Sequence, residues 1–363
     1  MRAILLPRLN ARARLLPERS LSRIPVSASR NQAPVFVMGC HRSGTNLLYD
    51  TLLSAGGFAV YRGYVPIYKM LIPRFGTLDN VENRKKILDV WLRSKGFRRS
   101  GLEADLVREK VLNRCKNGGD FMRITMDEIT RQQRASRWAL YDADTVLHVP
   151  EVKADIPEAI FVHIVRDGRD IALSLKKMEG FRPFPWDRRQ RGLLETAIYW
   201  QWVVRRGREY GRIIPADYIE IHYEELIASP HGTLKRLGEF IDHDLDYDRI
   251  RQSALGSIKR SNSSFLEESS DLQDVPAGRW KKKMSAGEVA ELESVIGECL
   301  QEFGYELSLP QHKRRAGMKE RCLGRFYPTL LDLKFLLKHN TPLGRFSDIS
   351  ALELDSTADA TIQ

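Results

Sequence analysis

Short unbroken apolar runs alternate along this chain with stretches in which apolar residues recur every three or four positions. Residues 35–38 (VFVM), 159–165 (AIFVHIV) and 218–222 (YIEIH) are bounded by polar or turn-forming residues and read as buried strands, with 137–141 (RWALY) as a further one. Helical spacing follows each of three of them, at 46–54, after Arg166-Asp-Gly-Arg-Asp170 through Met178, and at 229–242; residues 193–210 carry the same pattern. Residues 80–135 are charged and helix-like, with Ile87, Val90 and Trp91, then Leu102, Leu106 and Val107, at helical spacing. Buried strands alternating with helices predict an α/β fold: a doubly wound, mainly parallel sheet with helices on both faces. No internal repeat and no apolar run of membrane-spanning length interrupts the pattern.

The pattern also divides the chain. Residues 1–32 hold seven Arg and one acid, with Pro7, Pro17 and Pro25 breaking any long helix. They read as a basic disordered tail covering 1–33, with an organelle transit peptide as the alternative. Order is expected to begin at Pro34, the core domain to run over 34–308, and 309–363 to form a C-terminal extension. Within it 326–337 is apolar and helix-like.

Composition adds a direction. Of 363 residues, 58 are Lys or Arg and 47 Asp or Glu, a formal charge of +11 that calls for anionic partners. Four widely spaced cysteines without a CxxC pair argue against a disulfide framework or a structural zinc site and suit a reducing, cytoplasmic setting.

The sharpest local signal is Gly39-Cys-His-Arg-Ser-Gly-Thr45 between a strand and a helix. Backbone N–H groups of such a P-loop-like turn, with the helix N-terminus behind them, cradle a phosphate. Nucleotide triphosphatases need Gly-Lys-Ser/Thr there; here Thr45 and Asn46 follow Gly44 and the cation sits earlier, at Arg42, which disfavours a kinase. A phosphatase loop would need Arg at 46, so Cys40 reads as a packed loop residue. At the end of the 159–165 run, Arg166 offers a planar cationic fork for a second phosphate, with an ion pair to Asp170 as its alternative.

PVFVMGCHRSGTNLL (34–48), IVRDGRDIALSL (164–175), IEIHYEELIASPHGTLKRLGEFI (219–241) and AGRWKKKMSAGEVAELESVIGECLQEFGY (277–305) resemble, in the same order, the motifs of sulfotransferases, closest to the bacterial-type group with tyrosylprotein-sulfotransferase-like sequences. The resemblance covers roughly 34–306. It implies that 3′-phosphoadenosine 5′-phosphosulfate is the donor and that no metal is needed. Arg42, Ser43, Gly44, Thr45 and Asn46 would hold the 5′-phosphosulfate, and Arg166 and Ser174 the 3′-phosphate. Trp280, flanked by Arg279 and Lys281, would stack on the nucleotide beneath a polar loop at Ser261, Asn262 and Ser263, and Tyr223 would touch it or serve as a core aromatic.

The catalytic side departs from the pattern. Arg62 and Gly63 stand where a Glu base is expected, and Tyr141-Asp142-Ala143 replaces a Lys-containing motif. Asp142, at a strand's carboxyl end, and His41, in the loop, are the candidate bases beside Arg42; a turn or cap residue and a hydrogen-bonded loop histidine are their alternatives. His163 reads as a buried structural histidine. The expected reaction moves a sulfuryl group to a hydroxyl, or an amine, of a carbohydrate, lipid or small metabolite, with an acceptor wall drawn from Tyr61, Arg62, Tyr64, Tyr68, Arg74, Phe75, Arg98 and Arg99. A donor-binding protein without transfer activity is the alternative. Nucleic acid is not expected as a partner; the basic segments outside the loops leave an acidic acceptor, a membrane surface or no partner open, and the oligomeric state is not legible.

Overall fold

Val35–Met38 (β1), the central strand, is apolar throughout because both faces of the sheet are covered. The computed structural model describes residues 29–178, 191–258, 277–310 and 316–354. Around β1 lie Phe58–Ala59 (β2), Arg137–Tyr141 (β3), Ile160–Val165 (β4) and Tyr218–His222 (β5), in the order β2-β3-β1-β4-β5, with every pair parallel. Register sets Val35 against Ala139 on one side and Ile160 on the other. The expected α/β sheet is present.

The longer helices are Thr45–Ser54 (α1), Val81–Trp91 (α2), Ala104–Arg114 (α3), Gly118–Gln133 (α4), Gly168–Lys176 (α5), Leu193–Ile213 (α6), Pro230–Ile241 (α7), Ala286–Glu302 (α8) and Met318–Asn340 (α9). Side chains alternate across the pleat. Val35, Val37, Ile160, Val162 and Ile164 face the core formed with α1 and α7. Phe36, Met38, Phe161 and Val165 face a larger core that takes in α4, α6 and α8, with Phe36 stacked on Phe161 at 5.6 Å. Helices therefore cover both faces.

Two boundaries differ from the sequence reading. Ordered chain starts before Pro34: Arg30 binds the Phe240 and Ala216 carbonyls and Asp217, while Arg137 donates to the Ala33 carbonyl at 3.1 Å. α9 spans 318–340 instead of 326–337 because its first turns are polar and carry no apolar period. One side of α9 enters the larger core through Tyr327, Leu331 and Phe335.

β1 pairs with β3 on one flank and β4 on the other, so chain direction around the sheet reverses at its carboxyl end. Open α/β sheets bind ligands at such a switch point. The loop 39–44 leaves the sheet there.

Candidate active site

The loop is held in a shape its residue types permit. Gly39 has φ +157° and a side chain there would run into the Ile164 carbonyl; Gly44 has φ +98°, and a Cβ would lie 2.6 Å from the Tyr223 ring. Arg42 itself adopts a left-handed conformation, φ +72°, which costs a branched or bulky residue free energy and points to a functional constraint. Ser43 is buried, and its hydroxyl finds no partner among the described residues. Thr45 and Asn46 open α1, where free N–H groups and the helix dipole favour an anion. Cys40 is buried, and its thiol is pushed well up by that burial and by the charge of Asp144; it is a packed, unreactive group.

Across the cleft, β4 delivers Arg166 and α5 delivers Ser174. Arg42 Nε donates to Ser174 Oγ at 3.0 Å, and Arg166 Nη1 approaches the Arg42 carbonyl at 3.4 Å. The Arg166 guanidinium lies 4.3 Å over the Tyr223 ring, with Asp170 3.8 Å away. Tyr223 is thus both core aromatic and floor of the cleft. Asp170 accepts the backbone N–H groups of Gly278 and Trp280, fastening the late segment onto α5. Arg279 joins Arg42, Ser174, Lys177 and Lys283 around one cleft. Trp280 is buried beneath Arg169, whose guanidinium lies 3.8 Å over its ring, and its indole N–H donates to Asp167. That packing makes it an anchor for 278–281. Lys281 is on the other side, in a depression with Glu224 and Tyr305. Ser261, Asn262 and Ser263 fall outside the described residues.

A charged cluster adjoins the loop. His41 Nε2 lies 3.4 Å from Asp144, and Lys69 binds the same carboxylate. Burial opposes the charge on Asp144, but Lys69 and His41 outweigh it and hold its pKa well below the usual range. The same pairing raises His41 and Lys69 although burial pulls both down. Asp142, directly after β3, goes the other way: burial and then the neighbouring Asp144 charge raise its pKa. It also accepts the Asp144 N–H at 3.0 Å, so the turn-cap reading holds too. Two carboxylates two residues apart are thus driven in opposite directions. Asp142 and Lys69 open onto a narrow cavity of about 20 Å³, room for about one water in this conformation, walled mainly by Phe36, Tyr64, Val65, Tyr68, Met122 and Leu140. Among the described residues no group of three or more acidic, His or Cys side chains could hold a metal ion.

Residues 34–247, more than half of the chain, match the model of the sulfotransferase family. The chain belongs to the sulfotransferase family. It is 20% identical over 325 residues to the omega-hydroxy-beta-dihydromenaquinone-9 sulfotransferase Stf3 of Mycobacterium bovis, covering 77% of each chain. Its fold resembles the solved sulfotransferase domain from the curacin biosynthetic pathway, at a TM-score of 0.50 and 14% identity, over 77% of this chain and all of that one.

This sulfotransferase carries cluster residues that the sequence did not single out. Asp144 is one helical-turn residue among many, and Lys69 sits inside IYKML, an apolar stretch without a motif. The fold joins them across 75 positions. Of the residues expected to form an acceptor wall, Tyr64 and Tyr68 line the cavity beside Asp142, whereas Tyr61 is buried against the Gly96 carbonyl, Arg62 pairs with Asp50, and Arg74 binds the carbonyls of Arg345 and Ser347. His163 is buried in β4 beside Tyr218, its pKa lowered to about 4 by burial, as a structural histidine should be.

Proposed function

We propose that this sulfotransferase moves a sulfuryl group from 3′-phosphoadenosine 5′-phosphosulfate to a hydroxyl on an apolar, lipid-like acceptor. The observation that carries the reading is the meeting of Arg42 and Ser174 at 3.0 Å, with Arg166 at the Arg42 carbonyl, over a helix N-terminus. That arrangement offers two anionic sites on one cleft. Loop N–H groups, Ser43, Thr45 and Asn46 hold the 5′-phosphosulfate; Arg166, Ser174 and Arg279 hold the 3′-phosphate. The acceptor oxygen attacks sulfur in line, the bond from sulfur to the bridging phosphate oxygen breaks, and 3′,5′-adenosine bisphosphate departs. Asp142 takes the acceptor proton. Arg42 and Lys69 balance charge gathering on the sulfuryl and leaving oxygens, as electrostatic preorganisation requires. The apolar walls beyond Asp142, and the menaquinone acceptor in the name of the mycobacterial relative, support an apolar acceptor.

Donor turnover measured against hydroxylated isoprenoid quinones, glycans and small phenols, alongside calorimetry with the bisphosphate, tests this. Bisphosphate binding with transfer to the quinone hydroxyl is expected. Binding without transfer to any acceptor would instead leave a donor-binding protein.

A further inference from the structure

Helix α9 is apolar on two opposite sides. Tyr327, Leu331 and Phe335, four residues apart, are buried in the core. On the other side Phe326, Leu330 and Leu333 are exposed, Phe326 at 61% and Leu333 at 50%. At 100° per residue these three, with the partly exposed Leu337, fall within an arc of about 60°. Leu336 flanks them, and Leu343 and Phe346 follow the helix end, the latter 67% exposed. Of the eleven large hydrophobic residues exposed among the described residues, seven lie between Met318 and Phe346, so this is a patch and not scatter.

Charge identifies what covers it. Residues 313–346 hold nine Lys and Arg against two acids, Glu320 and Asp332; Lys334 and Lys338 are turned inward toward Lys69 and Asp144, which leaves seven others. Asp332 is already engaged by Arg206 and the Trp202 indole. Lys319, Arg321 and Arg325 are exposed over the first turns of the helix. A two-fold contact between copies would set two such basic segments against each other. An anionic bilayer surface satisfies both the leucine face and the cations, in the manner of an interfacial helix. No described helix is long and apolar enough to cross a membrane.

We infer that α9 and the turn after it dock this enzyme on an anionic membrane surface, with Phe326, Leu330, Leu333 and Leu336 entering the headgroup boundary and Lys319, Arg321 and Arg325 meeting lipid phosphates. The inward side of the same helix reaches the acceptor end of the site. Phe335 and His339 lie 5.4 and 4.9 Å from the ring of His148, which lines the acceptor cavity. Docking therefore sets that cavity close beneath the bilayer, whichever acceptor it takes.

Flotation of the full chain with vesicles tests the inference. Binding is expected to vesicles of phosphatidylcholine and phosphatidylglycerol in equal parts, and to be much weaker with phosphatidylcholine alone. Leu330→Gln with Leu333→Gln should weaken it at least about tenfold, and Arg321→Ala with Arg325→Ala about fivefold per charge removed. Neither pair lines the donor cleft, so bisphosphate affinity by calorimetry should stay unchanged and reports that the variants fold. The inference is overturned if the two vesicle types bind alike, if the leucine pair leaves binding intact, or if ultracentrifugation shows a dimer that this pair splits while no vesicle is bound. Loss of transfer with vesicle binding retained would count against the acceptor reading and leave docking standing.

Discussion

At the scale of single residues, the division between Asp142 and Asp144 makes the chemistry testable. Asp142 must be ionised to accept a proton, and its pKa is raised by burial and by Asp144, with Lys69 and His41 pulling the other way. Turnover should therefore fall as pH drops through that raised value, on the alkaline side of an ordinary aspartate. Lys69→Met removes a cation that lowers the Asp142 pKa, so the acid limb of the rate profile should move to higher pH. Asp142→Asn should cost about 10²–10⁴ in kcat while leaving bisphosphate affinity unchanged. A pH–rate series on the three proteins checks both; an unmoved limb in Lys69→Met would refute the coupling. On the donor side, Arg42→Ala and Arg166→Ala should each weaken bisphosphate binding about 10- to 100-fold, the worth of a charge-assisted bond to phosphate. Calorimetry reads this directly. His41, Arg42, Asp142, Arg166 and Ser174 were legible because each sits at a fixed offset from a strand end or a glycine. Lys69 was not, since a lysine in an apolar run announces no partner until the fold places Asp144 beside it.

At the scale of elements, buried parallel strands were the most legible part of the molecule. Covered on both faces, they appear as continuous apolar runs, and β1, β3 and β5 fall on the expected residues. β2 escaped notice because two residues, Phe58 and Ala59, carry no period. Arg137 shows a limit of another kind: a cation at the start of a strand reads as solvent-facing, yet it is buried and donates to the Ala33 and Ile241 carbonyls. Burial lowers its pKa to about 10. In the phosphate loop, Gly44 is the point that meets the Tyr223 ring. Gly44→Ala would place a methyl against the Tyr223 ring and hold alanine at positive φ, at a cost of about 1–3 kcal/mol. The ring supports Arg166, so the shift should carry over to the ligand: bisphosphate affinity should drop with a modest loss in Tm. Unchanged affinity would mean that loop and ring move independently.

Over the whole molecule, the +11 surplus divides into cations already spent and cations that face outward. Arg169 is consumed by Asp167 and Glu293, Arg208 by Glu220, and Lys153 by Asp217. Arg42 and Arg279 face the donor cleft, while Lys319, Arg321 and Arg325 lie along α9. The C-terminal segment is accordingly bound to the domain it follows, since α9 shares the larger core and its far end is pinned where Gly344 packs closely on the carbonyl of Pro73. This link makes the cavity beside Asp142 depend on residues far along the chain. Phe335→Ala should remove a buried ring for about 3 kcal/mol, lowering Tm by about 4 °C. Because Phe335 packs on His148 and lies outside the donor cleft, the KM for acceptor should rise while bisphosphate affinity holds. A matched fall in donor and acceptor binding would show instead that α9 stabilises the fold generally and does not shape the acceptor side.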